Sequence, residues 1–165
     1  MLKIIHSMKE LNFSQLMDVY QEGNHEDGRF LFPVMPEGLQ MIHVQQDFHA
    51  YLMQFFFKTK GAAYYVWIQG GVYVAAVRTE PYRDGLLISA LETKPCHRGF
   101  GYATNLLQAV CLEHCGTNLY SHVGKQNRAS LRVHKKCDFE IVSDMAVYID
   151  GSVSRNAYTL KNAGS

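Results

Sequence analysis

Apolar residues fall into two rhythms along the chain, and the changes of rhythm mark its elements. Met1 to His6 is a short apolar run that predicts a first strand. In "SMKELNFSQLMDVYQEG", Leu11, Leu16, Met17 and Tyr20 fall on one helical face, with Gly23 as the stop. "NHEDGRFLFP" is polar, then aromatic, then broken by Pro33, and reads as a loop. A second helix is expected from Pro36 and Glu37 to about Lys58, through Met41, Val44, Phe48, Leu52, Phe55 and Phe56, ending at Gly61. The rhythm then changes to the aromatic and β-branched texture of strands. "AAYYVWIQ", the Gly70-Gly71 turn, "VYVAAVRTEP", the Asp84-Gly85 turn and "LLISALET" predict an antiparallel meander over Ala62 to Thr93. A helix over Tyr102 to Cys115 follows, with Gly116 after it. "NLYSHV" is a strand, and Asn127 caps a short helix from Arg128 to about Lys136. "FEIVSDMAVYI" and "NAYTL" close the chain as strands.

With no repeat, linker or low-complexity tract, the 165 residues read as a single α+β domain, a mixed sheet covered by helices. The formal net charge of +1 gives no reason to expect nucleic acid or an anionic membrane as a partner. The longest apolar run, Ala62 to Ile68, is too short to span a bilayer. The N-terminus lacks the pattern of a secretory signal, so a cytoplasmic location is expected, with the four cysteines as thiols. Cys111 and Cys115 lie one helical turn apart beside His114. Without a CxxC pair, packing on a helix is the better reading of them than zinc, and no metal is expected.

"KPCHRGFGYATNLL" carries the chemistry. Gly99 and Gly101 stand where a strand meets a helix. The first N–H groups of a helix have no intrahelical partner, and the helix dipole adds positive charge there. Glycine lets a ligand approach that backbone closely, and Arg98 adds a charged fork. The junction therefore reads as an anion cradle suited to phosphate. It is not a P-loop, because GxxxxGK followed by Ser or Thr does not occur. It is not a dinucleotide fingerprint either, because Thr104 occupies the third glycine position and the next strand supplies no acid. A plain tight turn is the bland alternative.

The string Arg98-Gly99-Phe100-Gly101-Tyr102-Ala103 fits R-x-x-G-x-A, and "NRASLRVHKKCDF" gives a second block through Asn127, Ser130, His134, Lys136 and Phe139. Together, one helix and one strand apart, they resemble the acetyl-CoA signature and the late helix of the GNAT superfamily of N-acetyltransferases. Two positions depart from that pattern. Asp138 stands where the family usually has glycine, and His134 where it most often has tyrosine.

The resemblance implies a GNAT-like fold, a mostly antiparallel central sheet flanked by about four helices. It implies transfer of an acetyl group from acetyl-CoA, as co-substrate, to a primary amine by direct attack. The backbone of Arg98, Gly99, Phe100, Gly101, Tyr102 and Ala103 would hold the pyrophosphate. Leu91, Glu92 and Thr93 would pair with the pantetheine arm, with a main-chain N–H near Leu91 polarising the thioester, and Asn127 and Ser130 would lie against the coenzyme. Lys125, Arg128, Arg132, Lys135 and Lys136 are available to its 3′-phosphate or to solvent. Glu92 is the candidate base for the amine and His134 the candidate acid for the leaving thiolate. Glu22, Glu26 and Asp27, with Phe30 and Phe32, are candidates for drawing in and lining a cationic acceptor. A non-catalytic acyl-CoA sensor or degenerate scaffold is the alternative, and either a monomer or a homodimer suits the sequence.

Overall fold

The computed structural model describes residues 1–164. Its centre is a seven-stranded sheet. The strands are β1 (Leu2–Ile5), β2 (Ala63–Gln69), β3 (Val72–Tyr82), β4 (Gly85–Thr93), β5 (Asn118–Gly124), β6 (Glu140–Ser143) and β9 (Ala157–Asn162), in the spatial order β1-β2-β3-β4-β5-β9-β6. A separate short hairpin pairs β7 (Ala146–Val147) with β8 (Val153–Ser154). Every pairing in the large sheet is antiparallel except that of β4 with β5. The helices are α1 (Phe13–Val19), α2 (Gln21–Leu31), α3 (Glu37–Gln54), α4 (Tyr102–Glu113) and α5 (Arg128–Lys136). Among the described residues the α-helices number five, where about four were expected. Among the described residues, no helix is long and apolar enough to cross a membrane.

The meander forms as its aromatic and β-branched texture predicts, and β2 is buried on both faces. In β2, Tyr64 and Val66 pack into one core with Leu16, Leu52 and Phe56. Their neighbours Ala63 and Tyr65 pack into the opposite core with Leu106, Leu107 and Val110 of α4. Successive side chains of a strand point to opposite faces, so a run without polar interruptions serves two layers at once. Leu16, Leu52, Leu106 and Leu107 are fully buried, and truncating any one of them to alanine would cost about 2–5 kcal/mol.

The segment expected as a loop is a helix. Gln21–Leu31 is α2, and Gly23 lies inside it rather than ending α1. Its polar sequence hides the packing that holds it. Gly28 gives α3 room to approach: a Cβ there would lie 3.1 Å from that of Gln40. The buried Gln40 side chain donates from Nε2 to the carbonyls of Phe32 (2.8 Å) and Met35 (2.9 Å), fixing the turn between the two helices. Glu22 in the first turn and Arg29 in the last complement the helix dipole. The helix expected to reach about Lys58 ends at Gln54, followed by a 3-10 turn over Phe56–Lys58.

Asp138 adopts φ +61° in the turn before β6, the left-handed region that glycine enters without steric cost. Aspartate is among the few other residues that tolerate it, which explains how the chain makes this turn without glycine.

Candidate functional site

Pairing between β4 and β5 covers only Gly85–Ile88 with Asn118–Ser121. Beyond Ile88, β4 bends away, helped by a slip in its register with β3. Arg78 faces Ser89, but Ala76 faces Glu92. One extra residue of β4 is accommodated there, a β-bulge, and Ala90 holds φ +55° within it. The two strands therefore splay toward their C-terminal ends. A cleft of about 670 Å³ opens there, lined by Leu91, Glu92 and Thr93 of β4.

The floor of the cleft is the start of α4. Gly101 is its N-cap, with φ +81°, and no side chain caps it. The first backbone bond of the helix runs from Asn105 N to Gly101 O, so the N–H groups of Tyr102, Ala103 and Thr104 have no i−4 partner in it. These three residues line the cleft, as do Arg98, Gly99 and Gly101. Gly99 also has positive φ (+85°), and nothing lies within 4 Å of where a Cβ would stand on either glycine. Both glycines are thus required by backbone conformation, and they leave the approach to the amides open.

Asn127 caps α5 through its side chain, which accepts from Ser130 N at 3.1 Å. Asn127 and Ser130 lie on the cleft wall, with Arg132 and Lys136 beside them. Among the other basic residues, Lys125 is turned to Asp144 (2.9 Å), and Arg128 and Lys135 are not on the wall. Phe100, expected in the cradle, is 70% exposed and does not line the cleft.

The opposite side of the cleft is acidic. Glu22 and Glu26, four residues apart on α2, share one helical face and both line the cleft, with Gly23 between them. Asp27 is off that face, and Phe30 is 83% exposed. Phe32 packs on His43 instead (centroids 5.4 Å apart). Arg98 spans the two sides. Its Nη2 lies 2.7 Å from Glu22 Oε2 and 3.9 Å from Glu92 Oε2, and its Nε donates to Thr93 O at 3.4 Å. Partial burial raises the Glu92 carboxyl above its ordinary range. Arg98 opposes that, while Glu22 and Glu26 reinforce it.

His134 does not face the cleft. It is 1% exposed, packed edge-on against Phe139 (5.2 Å), with Nδ1 2.8 Å from the carbonyl oxygen of Ser130. Burial lowers its pKa, so near neutrality the ring is uncharged. Its one proton then sits on Nδ1, donated to Ser130 O, and the buried Nε2 carries a lone pair with no partner. The ring thus lies in the interior, apart from the cleft to which its place in the second block would bring it. Cys111 and Cys137 are pushed up to about 11 and about 12 by burial, which makes both poor thiolates. His114 Nε2 is engaged with the Tyr65 hydroxyl at 2.7 Å.

The sequence reading missed five contributors to the cleft: Gly23, His97, Thr104, Ala129 and Val133. The last three sit one helical turn from residues already singled out, a signal that helix periodicity supplies.

Comparison with known proteins agrees with this arrangement. The sequence model of the Acetyltransferase (GNAT) family matches residues 16–139. No curated protein sequence matches. Among solved structures, a GNAT-family acetyltransferase from Desulfovibrio desulfuricans aligns over 100% of this chain and 99% of its own, at 10% identity and a TM-score of 0.67. The ribosomal-protein-S18-alanine N-acetyltransferase of Escherichia coli aligns over 100% and 95%, at 16% identity and 0.64. The PaiA N-acetyltransferase of Thermoplasma acidophilum, solved in complex with coenzyme A, aligns over 98% of both chains, at 10% identity and 0.64. At these identities the likeness is one of fold.

Proposed function

The chain belongs to the acetyltransferase (GNAT) family and is an acyltransferase, and from that premise we propose that it moves an acetyl group from acetyl-CoA to a primary amine by direct attack. One observation carries this reading. The splay of β4 from β5 opens directly onto the uncapped, glycine-lined start of α4, so an extended thioester arm and its pyrophosphate find their partners in one cleft. The amides of Tyr102, Ala103 and Thr104 serve the pyrophosphate, and Arg132 and Lys136 serve the remaining nucleotide phosphate. Leu91 and Thr93 pair with the arm, and the Leu91 N–H polarises the thioester carbonyl.

The acidic wall suits an acceptor that arrives as an ammonium. Glu92 removes its first proton, and the free amine attacks the carbonyl carbon. As the C–S bond breaks, the new amide nitrogen gives up its second proton. One of the two protons goes to the departing thiolate and the other to solvent. Glu92 can pass the proton it took to the thiolate, so no second acid is needed and His134 is left to packing.

Calorimetric titration with acetyl-CoA, beside thiol release with a panel of amines, tests this reading. Wild-type protein should bind in the micromolar range, and Gly101→Glu should lose binding, because its carboxylate lies against the pyrophosphate. Wild-type protein that binds nothing would overturn the proposal. Binding without turnover of any amine would mark a sensor.

A further inference from the structure

Ala90 is an unusual residue to find at the bulge of β4. Its φ of +55° is unfavourable for a side chain with a Cβ, and it lies directly before Leu91 and Glu92 on the cleft wall. A residue in that state persists only when its surroundings hold it. The holding contact comes from across the fold. The hydroxyl of Tyr20 donates to the Ala90 carbonyl at 2.8 Å. Tyr20 is 8% exposed and stands at the kink where α1 ends and α2 begins. Its ring is set edge-on against Phe48 (6.0 Å) and Tyr64 (6.4 Å), which fixes the direction of the hydroxyl.

We propose that Tyr20 is a positioning residue for acetyl transfer: its hydroxyl fixes the bulge carbonyl and thereby aims the Leu91 N–H and the Glu92 carboxylate into the cleft. The inference rests on the proposed use of those two groups. A peptide plane moves as a unit, so the Ala90 carbonyl and the Leu91 N–H turn together. Holding the oxygen at one point therefore holds the hydrogen at the other. Burial raises the phenol's pKa well above its ordinary value, so it remains a donor across the working pH range. The contact also links the acidic face of α2, which begins at the next residue, to the strand end where the chemistry occurs.

Tyr20→Phe tests this, because it keeps the ring and removes only the hydroxyl. The expected result is a fall in kcat of about tenfold, as misaimed catalytic groups produce, with KM for acetyl-CoA and coenzyme A affinity within about twofold of wild type. Hydrogen exchange of the Leu91 and Glu92 amides should quicken, while that of α4 and β5 stays unchanged. This second readout needs no turnover. Unchanged exchange at Leu91 and Glu92 would overturn the inference and leave the proposed reaction standing. Faster exchange with unchanged kcat would show that the bulge does not serve the thioester; the positioning role and the proposed use of Leu91 would fall together.

Discussion

Arg98 and Glu22 meet across the mouth of the cleft, Nη2 to Oε2 at 2.7 Å, so the loop that opens α4 is tied to α2 by one ion pair. Each side chain is about half exposed, and such pairs contribute only about 0–1 kcal/mol. A pyrophosphate arriving at the loop, as proposed, would compete with Glu22 for the guanidinium. Glu22→Gln should therefore tighten coenzyme A binding by up to about fivefold, the equivalent of that pair. Arg98→Ala should weaken it by about tenfold, and less so at high salt. Calorimetry at two ionic strengths checks both, and weaker binding by Glu22→Gln would contradict the competition.

As the proposed base, Glu92 should set the acid side of the activity profile. A base must be deprotonated to act, and partial burial raises this carboxyl above its ordinary 4.5. Activity should therefore fall with decreasing pH at a point above the usual carboxylate range. Removing the Arg98 cation, which favours the charged form, should move that limb to still higher pH. Glu92→Gln should abolish the limb and lower kcat by about a hundredfold. A full kcat/KM–pH profile for the three proteins distinguishes this from a Glu92 that merely lines the wall, for which the limb would stay where it was.

His134 links stability to pH. Its pKa is lowered in the folded state from 6.5, because burial disfavours the cation. The unfolded chain therefore takes up a proton as pH falls through about 6.5, before the folded chain does. The stability that neutral His134 contributes is complete above 6.5 and is lost as pH falls toward its folded value. His134→Tyr removes this dependence, so the drop in Tm between pH 7.5 and 5 should be smaller by a few degrees. His114 and His122 are also lowered by burial and retain part of the slope. Equal drops in both proteins would refute the assignment.

Local signals in the sequence marked the parts that local chemistry determines. Gly70 and Gly71 turn the first hairpin, Asn127 caps α5, and the unbroken apolar texture of β2 gives a strand buried on both faces. What escaped is held by distant partners. α2 reads as a loop because its sequence is polar, then aromatic, then broken by Pro33, yet its Gly28 serves the approach of Gln40, twelve positions further on. Tyr20 reads as a core aromatic, and its hydroxyl finds a backbone carbonyl at a separation of 70 residues, which no side-chain pattern reports. His134 reads as a candidate acid from its place in a motif, whereas the face of α5 it occupies turns it into the interior beside Phe139.

The short contact between β4 and β5 makes the sheet resemble an open book. One leaf is β1 to β4, the other β5, β9 and β6, and the spine is four residue pairs long. A thioester arm lying in the gutter would bind both pages, so the donor would serve as a splint as well as a reactant. Occupancy then raises resistance to heat in proportion to the logarithm of ligand concentration. A cell depleted of the donor would hold this protein in its least heat-resistant form.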